Sequence, residues 1–245
     1  TDLISDTDYN SSITSMAQSV NVDGDFSITK YTGTGSSDGW IKHGLSGTPD
    51  WVIVKCLSAT YYWITWHSGL GASTGTDDYF NLDENDPAGH YAGSSNANQV
   101  WTTSGITSTK INLKNAGPVL ENNQNYVCYA WKAVSGLSAF GTYTGSGGAY
   151  NASTGKGGVT GLSFKPRWVM VRQTSNTNRQ WVIHDAFRVT SDAKTSNLYA
   201  NLNNGDDTDS THEIVFHNDG FKYTSNSTYV SINGSNENYI YMAFA

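Results

Sequence analysis

The chain has 245 residues, with 14 Lys and Arg against 21 Asp and Glu, for a formal charge of −7. Aromatics reach 13% while charged residues stay at 14%, which excludes intrinsic disorder, because disordered chains lack aromatic and β-branched residues. No Lys/Arg cluster exists to displace the counterions of a nucleic acid, and no run approaches the ~20 apolar residues of a membrane span, so neither partner is expected.

Taken in order, residues 1–25 read as an N-terminal arm, with Thr7–Ser19 as a short helix or an extended stretch. The opening residues have neither a basic stretch nor an apolar one, so no signal peptide is expected there. From there, short runs rich in Val, Ile, Tyr, Trp, Phe and Thr recur between Gly, Asn, Asp and Ser clusters, the pattern of strands and turns. The first half predicts strands at 26–31, 51–56, 62–67, 78–82, 111–113 and 126–131. The second half predicts them at 139–143, 168–173, 180–185, 198–202, 213–217, 221–224 and 238–244. With no helical pattern between them, the expected class is all-β: two tandem antiparallel β-sandwich units of jelly-roll type. Cys56 and Cys128 are the only cysteines, and their spacing leaves open whether they pair.

The two units are expected because the chain resembles itself. Tyr31-Thr32-Gly33-Thr34-Gly35 matches Tyr143-Thr144-Gly145-Ser146-Gly147. Pro49-Asp50-Trp51-Val52-Ile53-Val54-Lys55 matches Pro166-Arg167-Trp168-Val169-Met170-Val171-Arg172. Trp66-His67 falls on His184-Asp185, Tyr79–Leu82 on Tyr199–Leu202, and Asn125–Trp131 on Asn238–Phe244. Such blocks, in one order, predict a duplicated domain with units at 26–134 and 138–245. Val52, Val54, Val169 and Val171 are the expected core face, and Trp51, Trp168 and Trp181 are expected inside. Gly33, Gly35, Gly145 and Gly147 are expected in turns that need positive φ. Glu121 and Glu237, near the ends of the two units, are read as a duplicated structural pair.

These blocks resemble a domain repeated in virion and tail-fibre proteins of tailed bacteriophages of the marine and cyanophage type. The resemblance rests on Tyr31–Gly35, His43-Gly44-Leu45, Pro49–Lys55, Trp63–His67 and Tyr126–Trp131, and on their second-unit matches, including Thr160-Gly161-Leu162. It leaves out the first 25 residues. It implies a virion or extracellular location, a homo-oligomer with a trimer favoured, and no catalytic residues.

Two constellations suggest chemistry. Asp77, Asp78, Asp83 and Asp86 in the first half, and Asp206, Asp207 and Asp209 in the second, lie in acidic loops that could wrap Ca²⁺, a cation that takes oxygen ligands. The bland alternative is a solvated turn. Trp40, Tyr61, Tyr62, Trp66, Tyr91 and Trp101 lie beside polar loops, where rings could stack on sugar C–H faces; the alternative is core packing. No hydrolase elbow, metalloprotease helix or phosphate loop is present, so no enzyme is expected. The sequence therefore reads as a phage structural or adhesion protein presenting a surface to a host glycan. The runner-up is a self-assembling structural subunit without a ligand, and a polysaccharide depolymerase comes third.

Overall fold

Strands form here because apolar and aromatic side chains recur at every second residue and need only one buried face. Over Lys110–Lys114, for example, Ile111 and Leu113 turn inward while Lys110, Asn112 and Lys114 stay partly exposed. A computed structural model describes residues 4–5, 13, 16–70, 79–84, 100–174, 178–188 and 196–245. Its backbone divides into two units: Thr1–Leu82 with Ala88–Ala133, and Val134–Ala245 with Asp83–Pro87. Both are almost entirely β.

The first unit holds β1 (Ile4–Ser5), β2 (Met16–Asn21), β3 (Phe26–Thr32), β4 (Asp38–Lys42), β5 (Trp51–Cys56) and β6 (Ile64–His67). It continues with β7 (Phe80–Asn81), β8 (Trp101–Ile106), β9 (Lys110–Lys114), the single turn α1 (Gly117–Leu120) and β10 (Asn125–Trp131). One sheet runs β1-β2-β3-β10-β5-β6-β7 and the other β4-β9-β8. Their inner faces enclose one core, to which Tyr31, Ile41, Val52, Val54, Ile64, Leu113 and Tyr126 contribute.

The second unit holds β11 (Ser138–Thr144), β12 (Gly158–Val159), β13 (Trp168–Gln173), β14 (Val182–Asp185) and β15 (Leu198–Tyr199). Then come β16 (Ile214–His217), β17 (Gly220–Tyr223), the turn α2 (Val230–Asn233) and β18 (Asn238–Phe244). Its sheets run β11-β18-β13-β14-β15 and β12-β17-β16, around a core that includes Tyr143, Val169, Val171, Val182, Ile214, Phe221 and Tyr239. The jelly-roll likeness holds for the outer turn, where the first strand pairs with the last and the second with the next-to-last. Further in it stops: β14 and β15 continue beside β13 as a meander, and β16 folds back on β17.

Strand orders and backbone bonds correspond between the units. The amide of Gly33 donates to Gln124 O at 2.8 Å, and that of Gly145 to Glu237 O at 2.8 Å. Asp50 N donates to Trp131 O and Arg167 N to Phe244 O, both at 2.7 Å. Leu82 N donates to Trp63 O at 2.9 Å and Ala200 N to Trp181 O at 3.0 Å. Opposite β5, His67 faces Trp51; opposite β13, Asp185 faces Trp168.

Several expectations are corrected. Part of the segment set apart as an arm, Met16–Asn21, is strand β2, paired along its length with β3. Its inward residue is Gln18, whose amide donates to Thr29 Oγ1 at 2.8 Å and Lys42 O at 2.7 Å, so an apolar alternation was not needed to bury it. Gly35 and Gly147 do take positive φ, at 64° and 71°, but Gly33 and Gly145 do not. Those two are glycine because a carbonyl presses on them: a Cβ would lie 2.3 Å from Glu121 O or 2.2 Å from Gly234 O. Glu121 and Glu237 are not counterparts. Glu121 N binds the Tyr126 hydroxyl, the place Gly234 N holds on Tyr239. Glu237 instead stands where Gln124 does. Trp51 and Trp181 are fully buried, while Trp168 is half-exposed against Phe244. Cys56 and Cys128 are both buried free thiols.

Candidate functional site: an aromatic and carboxylate face on the first unit

Where β5 ends, the chain must turn before β6, and the turn carries Tyr61, Tyr62 and Trp63. The loop is pinned at its start: Leu57 N donates to Asn125 O at 2.7 Å, and Asn125 N donates to Ser58 Oγ at 2.8 Å. Ser58 Oγ in turn donates to Gln124 Oε1 at 2.6 Å. Further along, Lys55 Nζ donates to Tyr61 O and stands 5.6 Å from the Trp63 ring centre. The Tyr61 hydroxyl donates to Glu121 Oε2 at 2.8 Å. Its ring lies against Gly117, where a Cβ would sit 2.4 Å from a ring carbon, so a larger residue at the start of α1 would push the Tyr61 ring aside. The bond to Glu121, helped by burial and by the carboxylate's charge, raises the Tyr61 pKa and keeps the phenol protonated.

The loop is thus anchored through Ser58 on Gln124 and through Tyr61 on Glu121, and it carries Tyr62 and Trp63 next in sequence. Tyr62 is 48% exposed and Leu57 55% exposed, whereas Tyr61 and Trp63 are half-buried. Aromatic rings offer an apolar face with a polar edge, and the oxygens of Glu121 and Gln124 can accept from hydroxyl groups. At the corresponding end of β13 in the second unit, Arg179 Nε donates to Gln173 Oε1, and Gln180 and Asn201 bond each other. No tyrosine pair stands there among the described residues.

The other proposed aromatic residues fall elsewhere. Trp66 and Trp101 lie in the core, 5% and 3% exposed, where their rings pack against the sandwich interior. Trp101 opposite Leu113 begins β8, where a register irregularity hides the alternation that would have marked it as inward. Trp40 is half-buried on β4, with Lys110 Nζ 3.8 Å from its ring centre, so a cation already covers that face. Tyr91 lies outside the described residues.

The acidic loops do not assemble a metal site among the described residues, where no three His, Cys, Asp or Glu side chains converge. Asp77, Asp78 and Asp86 lie outside those residues, and Asp83 is exposed. In the second unit the carboxylates are held by the protein itself. Asp206 Oδ1 accepts from Arg188 Nη1 at 2.6 Å, and Arg188 Nε also binds Asp185 at 2.6 Å. Asp207 Oδ2 accepts from the Tyr199 hydroxyl at 2.5 Å and lies 3.0 Å from His212 Nδ1. Asp209 caps the turn at Thr211, accepting from its amide at 2.8 Å. Burial opposes ionisation of Asp207, but the Tyr199 hydroxyl, the Asp209 amide and His212 outweigh it and lower its pKa. In the second unit these carboxylates thus form polar turns and ion pairs with the protein itself.

Sequence reasoning picked out Tyr61 and Tyr62 but missed Glu121 and Lys55 as their partners. The Tyr61–Glu121 bond spans 60 residues. The two strands that bring it about, β5 and β10, are recognisable, but their adjacency in the sheet is a property of topology and leaves no local pattern. Among the described residues no helix is long and apolar enough to cross a membrane. No curated protein and no solved structure matches the chain. A family model does match, over residues 4–245 and so across both units: the chain belongs to the family described as a domain of unknown function, DUF7483.

Proposed function

We propose that this protein is a structural and adhesion component of a phage particle, built from one β-sandwich unit used twice, that presents the Tyr61–Tyr62–Trp63 face to a host glycan. The observation carrying the reading is Tyr62. It is a large, 48% exposed ring that follows Tyr61 in a loop with four anchoring bonds, one of them from the Tyr61 hydroxyl to Glu121. Single exposed apolar residues are ordinary, but a rigid aromatic group with convergent acceptors is the arrangement that recognises a small polar ring. The corresponding bonds of the two units support duplication. They also explain why recognition would rest on the loops, in which the units differ. A symmetric homo-oligomer, with a trimer favoured, would multiply a weak single-site affinity.

The test is a glycan array probed with the wild type and with Tyr62→Ala and Glu121→Gln. Binding by the wild type, lost in Tyr62→Ala and reduced in Glu121→Gln with thermal melting unchanged, is the expected result. A blank array together with ordered assemblies in electron micrographs would replace the adhesion role with that of a ligand-free structural subunit.

A further inference from the structure

The second unit contains a cleft of about 440 Å³, in the size range of small-molecule sites. Its lining is of two kinds. Phe164, Pro166 and Phe216 are buried and apolar, while Lys165 and Arg167 are exposed and cationic. Ala186 and Ala245 complete it with small side chains that leave the space open. The backbone of Arg167 is fixed on both sides, its amide donating to Phe244 O at 2.7 Å and its carbonyl accepting from Ala186 N at 2.8 Å. The side chain projecting from this fixed point has no hydrogen-bond or ion-pair partner among the described residues, and neither has that of Lys165.

Two unneutralised cations over an apolar floor are unexpected in a chain with a formal charge of −7. The local field is positive as well. Beside Phe216, burial and then the charge of Lys222 lower the His217 pKa, Asp219 opposes them, and Lys165 adds a further, smaller lowering. Among the described residues, the first unit has no such arrangement. At the position preceding β5 it carries Asp50, whose Oδ2 accepts from Ala133 N at 2.8 Å, and the preceding residues are Gly47, Thr48 and Pro49. The cations and Phe164 therefore belong to the second unit's own chemistry and not to the shared frame.

We infer that this cleft binds an acidic sugar residue, a hexuronate, with Arg167 and Lys165 taking its carboxylate and Phe164, Pro166 and Phe216 packing on its C–H face. A guanidinium and an ammonium together suit a planar carboxylate, and the buried floor suits the apolar side of a pyranose. This is a second site, distinct from the face around Tyr62, and it does not depend on that face.

Calorimetric titration of the full chain with trimers of galacturonate and of mannuronate tests it. Fully methyl-esterified trigalacturonate and inorganic sulfate serve as controls. At least one uronate trimer should bind, more weakly as salt rises, with the ester and sulfate at least tenfold weaker. Arg167→Gln and Lys165→Gln, both at exposed side chains, should each weaken it about tenfold, the loss expected for one charge-assisted bond. Tyr62→Ala should bind the uronate like the wild type, so failure of the adhesion face and failure of this cleft are read separately. Absence of binding by both trimers, equal binding of the ester, or unchanged affinity in both cation variants would each overturn the assignment.

Discussion

Tyr31 lies flat against Tyr126, with ring centres 5.1 Å apart and planes 17° from parallel, and both hydroxyls reach the same one-turn helix. Tyr31 donates to Val119 O at 2.6 Å and Tyr126 to Gly117 O at 2.7 Å. Tyr143 and Tyr239 repeat this on α2, with ring centres 4.8 Å apart and bonds of 2.6 Å to Ile232 O and Val230 O. Burial, followed by neighbouring ionisable groups, raises the pKa of Tyr31 and Tyr143 well above the ordinary value, so each phenol stays a donor. Tyr31→Phe removes one buried bond and should cost about 1–2 kcal/mol. Tyr143→Phe should cost more, because Tyr143 also meets the Tyr223 hydroxyl at 3.0 Å. Urea unfolding of the two variants measures both; a Tyr143→Phe loss smaller than that of Tyr31→Phe would contradict the account.

The glycines beneath these helices give a sharper contrast. A Cβ on Gly33 or Gly145 would meet a backbone carbonyl at 2.3 or 2.2 Å, and backbone cannot swing aside as a side chain can. Gly33→Ala and Gly145→Ala should each destabilise by roughly 3 kcal/mol, at the upper end of overpacking costs. Gly205→Ala, where nothing lies within 4 Å and φ is not positive, should stay within about 0.5 kcal/mol of the parent. Thermal melting distinguishes these outcomes.

Acid should destabilise the second unit through His184. Its side chain is fully buried beside Tyr223, and its pKa is lowered to about 3, first by burial and then by Arg188 and His212, with Asp185 opposing. The unfolded chain therefore takes up the proton first. Stability is full above the unfolded pKa near 6.5 and falls as pH drops from there toward 3, by at most about 1.4 kcal/mol per unit. His43, also lowered by burial, adds a smaller fall of the same sign in the first unit. Urea midpoints between pH 4 and pH 7 should fall with acid, and the slope should flatten in His184→Gln.

The thiols provide a chemical check on packing. Cys128 faces Val54 in the sheet register and Cys56 faces Tyr126, both on the core side. Burial raises the Cys128 pKa far above the usual thiol range, so almost no thiolate is available to react. A disulfide-exchange reagent should modify neither cysteine in the folded chain and both in guanidinium. Dithiothreitol should leave the melting temperature unchanged.

How much of this was legible in the sequence depended on which side chains carried the burial. Trp51–Cys56 and Asn238–Phe244 are inward-facing through apolar residues, and the sequence pattern marks both as strands. Met16–Asn21 escaped because Gln18 does the inward work through hydrogen bonds. Trp101–Ile106 escaped because a register irregularity breaks its alternation. Glycine positions were legible as special, but the reason differed: crowding at Gly33 and Gly145, handedness at Gly35 and Gly147. Of the Tyr61–Tyr62–Trp63 loop, the aromatic residues stood out by type. Glu121 did not, because only the path of the sheet brings it to Tyr61. The cationic cleft was legible only as Arg167 standing opposite Asp50 in the repeat, a charge reversal whose surroundings are contributed by strand ends far apart in the chain.

In the second unit the opening and closing strands lie side by side, with Ser138 opposite Phe244. Entry and exit of that unit are therefore neighbours in space. A short Gly-Ser tether could join them without disturbing any wall of the sandwich, and fresh ends could be cut at the exposed tip around Gly205. A linker joining these two ends would have to span only about 5 Å, the separation of neighbouring strands.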